Sequence, residues 1–553
     1  MRTSCTCGAP VTTLASGTTS SPSEQAPSKP TTGEMMRSAD VVVVGGGTAG
    51  CVVAVRLSSD PSMSVTLLEE GAAAYGTDRV HADVLDAGRV RAVSPGHVAS
   101  TTRATHLAPG RPWGIVRGSG LGGSSSVNGA YFVRARVEDF DRWSAAGGPA
   151  WRHENVLPLL RALEDDLDFP DSDQHGNGGP IPVRRPALEH PAVQALAAAS
   201  SSLGIAEELD KNDARSTAGF GAVPRNAVSG IRLSTAMTYL APAMGRPNLT
   251  VRGGVTVLGV RVQRGTVRGV DLLVGGKRKF LAAGHVVLSA GAVDTAVLLQ
   301  RSGIGAARHL ERVGIEVQAD LPGVGVLANH PQVVVDWLPR GPLPVPADHW
   351  FAAAVNLDGF VEDVSVEVLQ SLLPMHVLTS NSAPRAADPL PLLVSTQGQG
   401  RTGSVAVCGG DPGGPAIVHH GYLADPVERR ALREGVRLAC QLVAFPAWSG
   451  RGGPGAGVVG LPLSVLVDDR ALDRWVRERL GTAMHPTSTA AMGPAGSRGS
   501  VVNGWGAVHG ISGLTVADTS ILPTAPRRGP AATAVLIGEL VARGLAGRLS
   551  SPN

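Results

Sequence analysis

The chain has 553 residues, 43% apolar and 17% charged, with 71 glycines and 40 prolines, which excludes a small stapled scaffold and a disordered or fibrous chain and fits a loop-rich α/β protein of more than one domain. Lys and Arg number 49 against 46 Asp and Glu, a net charge of +3 without a long basic run, so nothing favours nucleic acid and a small-molecule partner is expected. No stretch reaches the ~18 apolar residues of a membrane span, leaving at most peripheral membrane contact. The five scattered cysteines (Cys5, Cys7, Cys51, Cys408 and Cys440) argue against a disulfide framework and for a reducing, cytoplasmic setting.

Residues 1–37 are rich in Ser, Thr and Pro and lack a signal-peptide core, so they read as a disordered tail, or as an overlong start with Met35 or Met36 as the initiator. Cys5-x-Cys7 has no second ligand pair, and no metal is expected. From Ala39 to Gly71 the pattern changes to a valine run, Gly45-x-Gly47-x-x-Gly50, a helical segment, a second apolar run and Glu69. That order predicts a β-α-β unit holding a dinucleotide. Gly45 makes the tight turn, Gly47 lets backbone approach a pyrophosphate, Gly50 lets the helix pack on the strand, and Glu69 can accept ribose hydroxyls. The unit alone leaves NAD and FAD open.

Gly114–Trp143 gathers glycines and serines around Leu121 before Val127-Asn128-Gly129, a backbone-rich loop suited to a flat cofactor. Asn248–Gly305 reads as short alternating strands, ending in the apolar "HVVLSAG" and a helix from Val293 to Gln300. A charged helix within Asp473–Pro486 is expected to end near Gly481 and to deliver His485 on the next loop. Gly513–Leu545 reads as a strand ending in Asp518, a proline-rich turn, and a last helix with Val535, Leu536, Leu540 and Val541 on one face.

These segments resemble the glucose-methanol-choline (GMC) oxidoreductases, FAD enzymes that oxidise alcohols, over about residues 39–545. One family signature is met from Leu121 through Ser125 to Asn128, Phe132 and Ala135, departing at Ser119. A second runs from Gly291 to Gly305, departing at Ala296. The resemblance implies an α/β fold in which a discontinuous Rossmann-like FAD-binding domain (38–150, 231–330 and 485–553) carries an α+β substrate domain built on a sheet (151–230 and 331–484). It implies FAD contacts at Gly45, Gly47, Thr48, Ala49, Gly50, Glu69, Ser124, Asn128, Gly129, Tyr131, Val257 (through its backbone) and Asp518.

It also implies that His485, in "GTAMHPTSTAAMG", is the base that takes the substrate's hydroxyl proton. The family's second His or Asn is missing, because Gly529 stands there before Pro530. Arg527 and Arg528 are expected on the solvated surface, with a charge beside reduced flavin as the alternative, and His509 is expected to be structural. The Arg-Gly-Pro phrase and the altered Val324–Trp337 segment resemble the subgroup associated with mycofactocin, a peptide-derived redox carrier. Its reduced form would then be the substrate and a respiratory chain the electron acceptor. The alternatives are an alcohol oxidase that uses oxygen, and a hydroxynitrile-lyase-like enzyme with structural FAD.

Overall fold

The computed structural model describes residues 38–549 apart from 74–79, 81, 91–97, 101–103, 347, 380–381, 386–387, 399, 401, 412 and 450–456. The expected tail and the Cys5-x-Cys7 pair lie outside these residues. Strand β1 (Ala39–Val44) ends in four buried valines, whose branched side chains suit a strand covered on both faces. Helix α1 (Thr48–Leu57) follows the glycine turn, and β2 (Val65–Leu68) returns parallel to β1 with Val44 opposite Leu68.

After helix α2 (Val137–Gly147) and a short strand β3 (Phe220–Ala222), the chain re-enters this first sheet as β4 (Leu249–Arg252), parallel to β2. Strands β5 (Val255–Gln263), β6 (Thr266–Val274) and β7 (Lys277–Leu288) form an antiparallel meander. β7 serves two roles. Lys277–Ala282 pairs with β6, and Ala283–Leu288 runs parallel to β1, with Val44 opposite Leu288. Helix α3 (Gly291–Arg301) then leaves the sheet, beginning and ending slightly outside the expected Val293–Gln300.

The second sheet is antiparallel and contains β8 (Pro331–Leu338), β9 (Phe351–Val361), β10 (Val364–Ser371) and β11 (Leu390–Gln397), in the order β8-β11-β10-β9-β3. Helix α4 (Pro426–Ala444) covers one of its faces with Leu432, Val436, Ala439 and Val443, an i, i+4, i+7, i+11 stripe. A further small sheet joins Val326–Leu327, Gly403–Val407, Ala416–His419, Ala104–Ala108 and Arg111–Trp113, tying early and late parts of the chain together.

Two expectations need correction. The charged helix starts earlier than expected, as α5 (Asp469–Arg479) capped by the Asp468 carboxylate, and a strand β12 (Leu480–Thr482) stands between it and His485. β12 pairs with β8, Thr482 opposite Pro331, which the charge pattern of the helix did not signal. After strand β13 (Leu514–Val516), parallel to β7, the last helix α6 (Ala531–Leu549) is buried almost all round from Ala532 to Ala542, not on one face. It lies on α1, where Gly538 touches Val52, and its Glu539 is held by Arg56 at 2.7 Å and by the Tyr239 hydroxyl at 2.7 Å. The architecture is therefore a Rossmann-like α/β domain assembled from separated segments, carrying an α+β domain on an antiparallel sheet. No helix among the described residues is long and apolar enough to cross a membrane.

Candidate active site

The turn after β1 is shaped for close backbone approach. Gly45 has φ +98°, and a Cβ there would stand 2.6 Å from the Ser289 carbonyl oxygen, so only glycine fits. A Cβ on Gly50 would run into the Gly45 carbonyl. α1 starts at Thr48, Ala49 and Gly50 with Gly47 as its cap residue, and no side chain caps it, so its first N–H groups and its dipole are left to meet an anion. Gly123 approaches from the serine-rich loop so closely that a Cβ on it would be 2.7 Å from the Gly47 Cα.

Glu69 sits just beyond β2 and is buried. Its carboxylate accepts the N–H groups of Gly46 (2.8 Å), Gly71 (2.9 Å) and Gly120 (2.9 Å), which knots three glycine loops around one acid. Burial raises its pKa, and the three N–H donors oppose that rise. Ser124 is the exposed member of an otherwise buried turn, and its Oγ faces the Gly118 N–H at 3.4 Å. Asn128 turns its side chain inward to accept the Ala130 N–H at 2.9 Å, holding Ala130 at φ +59° and so aiming Tyr131. Gly129 packs on Trp350, where a Cβ would be 2.7 Å from the indole.

Val257 lies on β5, the edge strand of its sheet, beside a bulge at Leu258. The Asp518 carboxylate accepts Gly291 N–H (2.9 Å), Thr295 Oγ (2.6 Å) and Ser520 N–H (2.9 Å), so its side chain caps α3 and positions backbone. Sequence reasoning missed Arg117, whose guanidinium reaches Gly291 at the start of α3 and keeps Nη1 buried without a partner. These glycines, the uncapped helix start and this unpaired cation fit a dinucleotide diphosphate.

His485 is positioned by an interrupted ladder. β12 pairs with β8 up to Thr482 opposite Pro331, and pairing resumes at Thr487 opposite Ala328, so four residues (483–486) face two (329–330). The excess is taken up by Met484 at φ +60°, and Ser488 follows at φ +75°. Asn329 clamps the bulge: its Oδ1 accepts the N–H of His485 (2.8 Å) and of His330 (2.9 Å). The rings of these two histidines then meet edge to face, Nδ1 to Nδ1 at 2.9 Å.

His330 is fully buried, while His485 keeps part of its surface open. Burial lowers the His485 pKa to about 4. Burial, and then the neighbouring His485, hold His330 well below the usual imidazole range. Both rings are thus neutral at pH 7. His330 is the main residue the sequence reading missed. It stood in "ANHPQ" of the altered segment, and its histidine was not separated from that alteration.

Gly529 does face His485, and Tyr131 takes the space of the missing side chain: a Cβ on Gly529 would stand 3.0 Å from the Tyr131 ring and 3.5 Å from His485 Cε1. Gly529 does not have positive φ. The Tyr131 hydroxyl donates to Glu367 at 2.7 Å, and burial followed by Glu367 raises its pKa well above the ordinary value. The surface expectation for the arginines is overturned. Arg528 is fully buried with Nη1 3.1 Å from Asp358, and Arg527, also buried, gives its N–H to the Asp139 carboxylate of α2 at 2.9 Å. His509 bonds Ser500 Oγ (2.9 Å) and the Gly493 carbonyl (3.1 Å), away from His485.

A dinucleotide cradle opening beside a neutral histidine pair defines a cofactor-dependent oxidoreductase site. The chain belongs to the GMC oxidoreductase family, whose models match residues 39–332 and 399–538. It is 37% identical over 505 residues to an uncharacterised GMC-type oxidoreductase of Rhodococcus erythropolis, covering 91% of this chain and 97% of that one. An oxygen-dependent choline dehydrogenase of Staphylococcus saprophyticus is 31% identical over 521 residues, with 88% and 91% covered. Among solved structures, a pyridoxine 4-oxidase from Mesorbium loti superposes with a TM-score of 0.80 at 25% identity, covering 92% of this chain and 99% of that one. The cofactor is FAD, and the cradle around Gly45, Glu69 and Arg117 is where this chain would hold it.

Proposed function

We propose that this protein oxidises a CH–OH group of a small alcohol or reduced carrier, with His485 as the general base. Bound FAD supplies the hydride acceptor at its N5; the rest of the step falls to the chain. His485 can take the hydroxyl proton because burial keeps it neutral, and the clamp from Asn329 fixes its backbone. Tyr131, held by Glu367, bounds the site beside His485 and limits the bulk that fits there. The observation that carries the reading is the neutral, part-open His485 on a bulged loop, backed by a second buried histidine.

The relatives named for choline and pyridoxine support an alcohol substrate. Reduced mycofactocin, with electrons passed on to a respiratory acceptor, is the particular substrate favoured by the resemblance of the Arg528-Gly529-Pro530 phrase and the Val324–Trp337 segment to the mycofactocin-associated subgroup. The test is anaerobic mixing of the FAD-loaded protein with choline, pyridoxine, simple primary alcohols and reduced mycofactocin. Bleaching of the flavin spectrum identifies the oxidised substrate. Conversion of a hydroxynitrile with an unchanged spectrum would show a lyase and overturn the reading.

A further inference from the structure

The edge of the second sheet carries an apolar and basic surface that alcohol oxidation does not use. The two-residue strand Gly457–Val458 pairs with the end of β8, Leu338 opposite Gly457, and Val459 extends that contact by giving its N–H to the Asp336 carbonyl at 2.7 Å. One helical turn (Leu463–Leu466) follows and leads into α5. Val458, Leu461, Val465 and Leu466 pack on the core of the substrate domain, which leaves Leu338, Val459, Leu463 and Val467 facing out. Leu463 is 71% exposed and Val467 70%. Four of the twelve large apolar side chains exposed among the described residues thus stand at this one edge. Single exposed apolar residues are ordinary, whereas a group of them marks a contact surface.

α5 adds charge of one sign beside them. Leu472, Trp475 and Val476 are its buried side, in the same core, and the Trp475 indole N–H reaches the Gly460 carbonyl at 2.8 Å, tying the helix to the apolar run. Arg470, Arg474 and Arg477, at i, i+4 and i+7, occupy the opposite side. All three are exposed and make no hydrogen bond or ion pair among the described residues. The nearby carboxylates are committed elsewhere. Asp468 accepts the Ala471 N–H at 2.6 Å, Asp469 lies 2.6 Å from Arg437 and 3.1 Å from Arg433, Asp473 lies 2.9 Å from Arg433, and Glu478 lies 3.9 Å from Arg479. Arg433 and Arg437 belong to α4, so Asp469 and Asp473 are turned toward α4 and leave the arginine stripe unneutralised.

This pairing of free cations with apolar side chains selects the occupant. A second copy meeting the face about a two-fold axis would set the patch against itself and arginine against arginine. An anionic bilayer suits both parts, because apolar side chains enter the headgroup layer while arginines pair with lipid phosphates. We infer that Leu338, Val459, Leu463 and Val467, with the Arg470, Arg474 and Arg477 stripe, form a peripheral docking surface for an anionic lipid bilayer. Docking there holds the flavoprotein where a lipid-dissolved electron acceptor resides, and it does not depend on which alcohol is oxidised.

The experiment is co-sedimentation of the full-length, FAD-loaded protein with two kinds of vesicle, pure phosphatidylcholine and equal parts phosphatidylcholine and phosphatidylglycerol, alongside analytical ultracentrifugation without vesicles. Wild type is compared with a variant carrying Arg470→Gln, Arg474→Gln and Arg477→Gln, and with one carrying Leu463→Ser and Val467→Ser. All five side chains are exposed and belong to neither the FAD cradle nor the His485 site, so both variants should keep wild-type flavin content and Tm. Expected are strong binding to the mixed vesicles and little to phosphatidylcholine alone. The arginine variant should bind roughly 100-fold more weakly, about fivefold for each lost charge, and the Leu463, Val467 variant should also bind more weakly. Equal binding to the two kinds of vesicle, no binding to the mixed ones, or either variant binding like wild type would overturn the inference. So would a wild-type dimer that the Leu463, Val467 variant splits, since that assigns the face to a second copy. None of these readouts needs alcohol turnover, so failure of the His485 reading leaves them untouched.

Discussion

His485 stands between two residues, Met484 and Ser488, whose backbones adopt the left-handed region without being glycine. Such conformations cost about 1–3 kcal/mol each and persist where the surrounding structure fixes them; here the Asn329 clamp does so. Burial lowers the His485 pKa to about 4, and a protonated imidazole cannot accept the hydroxyl proton. For a substrate that does not itself titrate, kcat/KM should therefore rise with pH through one apparent pKa below the ordinary ~6.5 and then stay level. A fall at higher pH, giving a bell in steady-state kinetics, would contradict the single-base account. Gly529→Asn should reduce the rate of flavin reduction, because its Cβ alone would press on the Tyr131 ring at 3.0 Å. A faster variant in stopped-flow reduction would show that the site is not shaped around the glycine.

At the level of elements, the Glu69 carboxylate joins the turn after β1, the end of β2 and the serine-rich loop through three backbone N–H groups. Glu69→Ala strands those donors at about 1–3 kcal/mol each if they stay buried, so FAD should bind at least roughly 10-fold more weakly and the protein should purify with less flavin. Unchanged flavin content and affinity by titration would contradict this. The β-α-β unit was legible because two of its glycines are demanded locally, Gly45 by its positive φ and the Ser289 carbonyl and Gly50 by the Gly45 carbonyl. β12 was not legible. Three residues ending in Gly481-Thr482 carry no periodicity, and the strand exists only because β8 offers an edge. The same non-local pairing hid His330, since nothing between residues 330 and 485 in the sequence announces that they are cross-strand neighbours. The arginines were misread because their acids, Asp358, Glu208 and Asp139, lie far away along the chain.

Across the whole molecule, the segment after α2 is anchored by a buried charge cluster. His175 lies 2.8 Å from Glu164, 2.9 Å from Asp166 and 2.6 Å from Asp210, with Arg134 and Arg185 completing the charge balance. Glu164, Asp166 and His175 are close enough to ligate a metal, but these cations already occupy their carboxylates. Burial alone would lower the His175 pKa, yet the hydrogen bonds its ring donates to the carboxylates of Asp166, Asp210 and Glu164 raise it to about 10. A raised pKa of this kind contributes stability fully below ~6.5 that is lost as pH rises through the folded value. His175→Gln should therefore lower Tm most below pH 6.5, with the gap to wild type narrowing towards pH 10. A gap independent of pH in thermal melts would show that the histidine is not charged in the folded protein.

The central claim is that the chain's own proton acceptor in alcohol oxidation is His485, and single-turnover anaerobic flavin reduction of wild type and His485→Ala at matched FAD content tests it most directly. The account predicts bleaching by an alcohol substrate in the wild type, and bleaching roughly 10²- to 10⁴-fold slower in the variant with FAD still bound. Equal rates in the two proteins would contradict it.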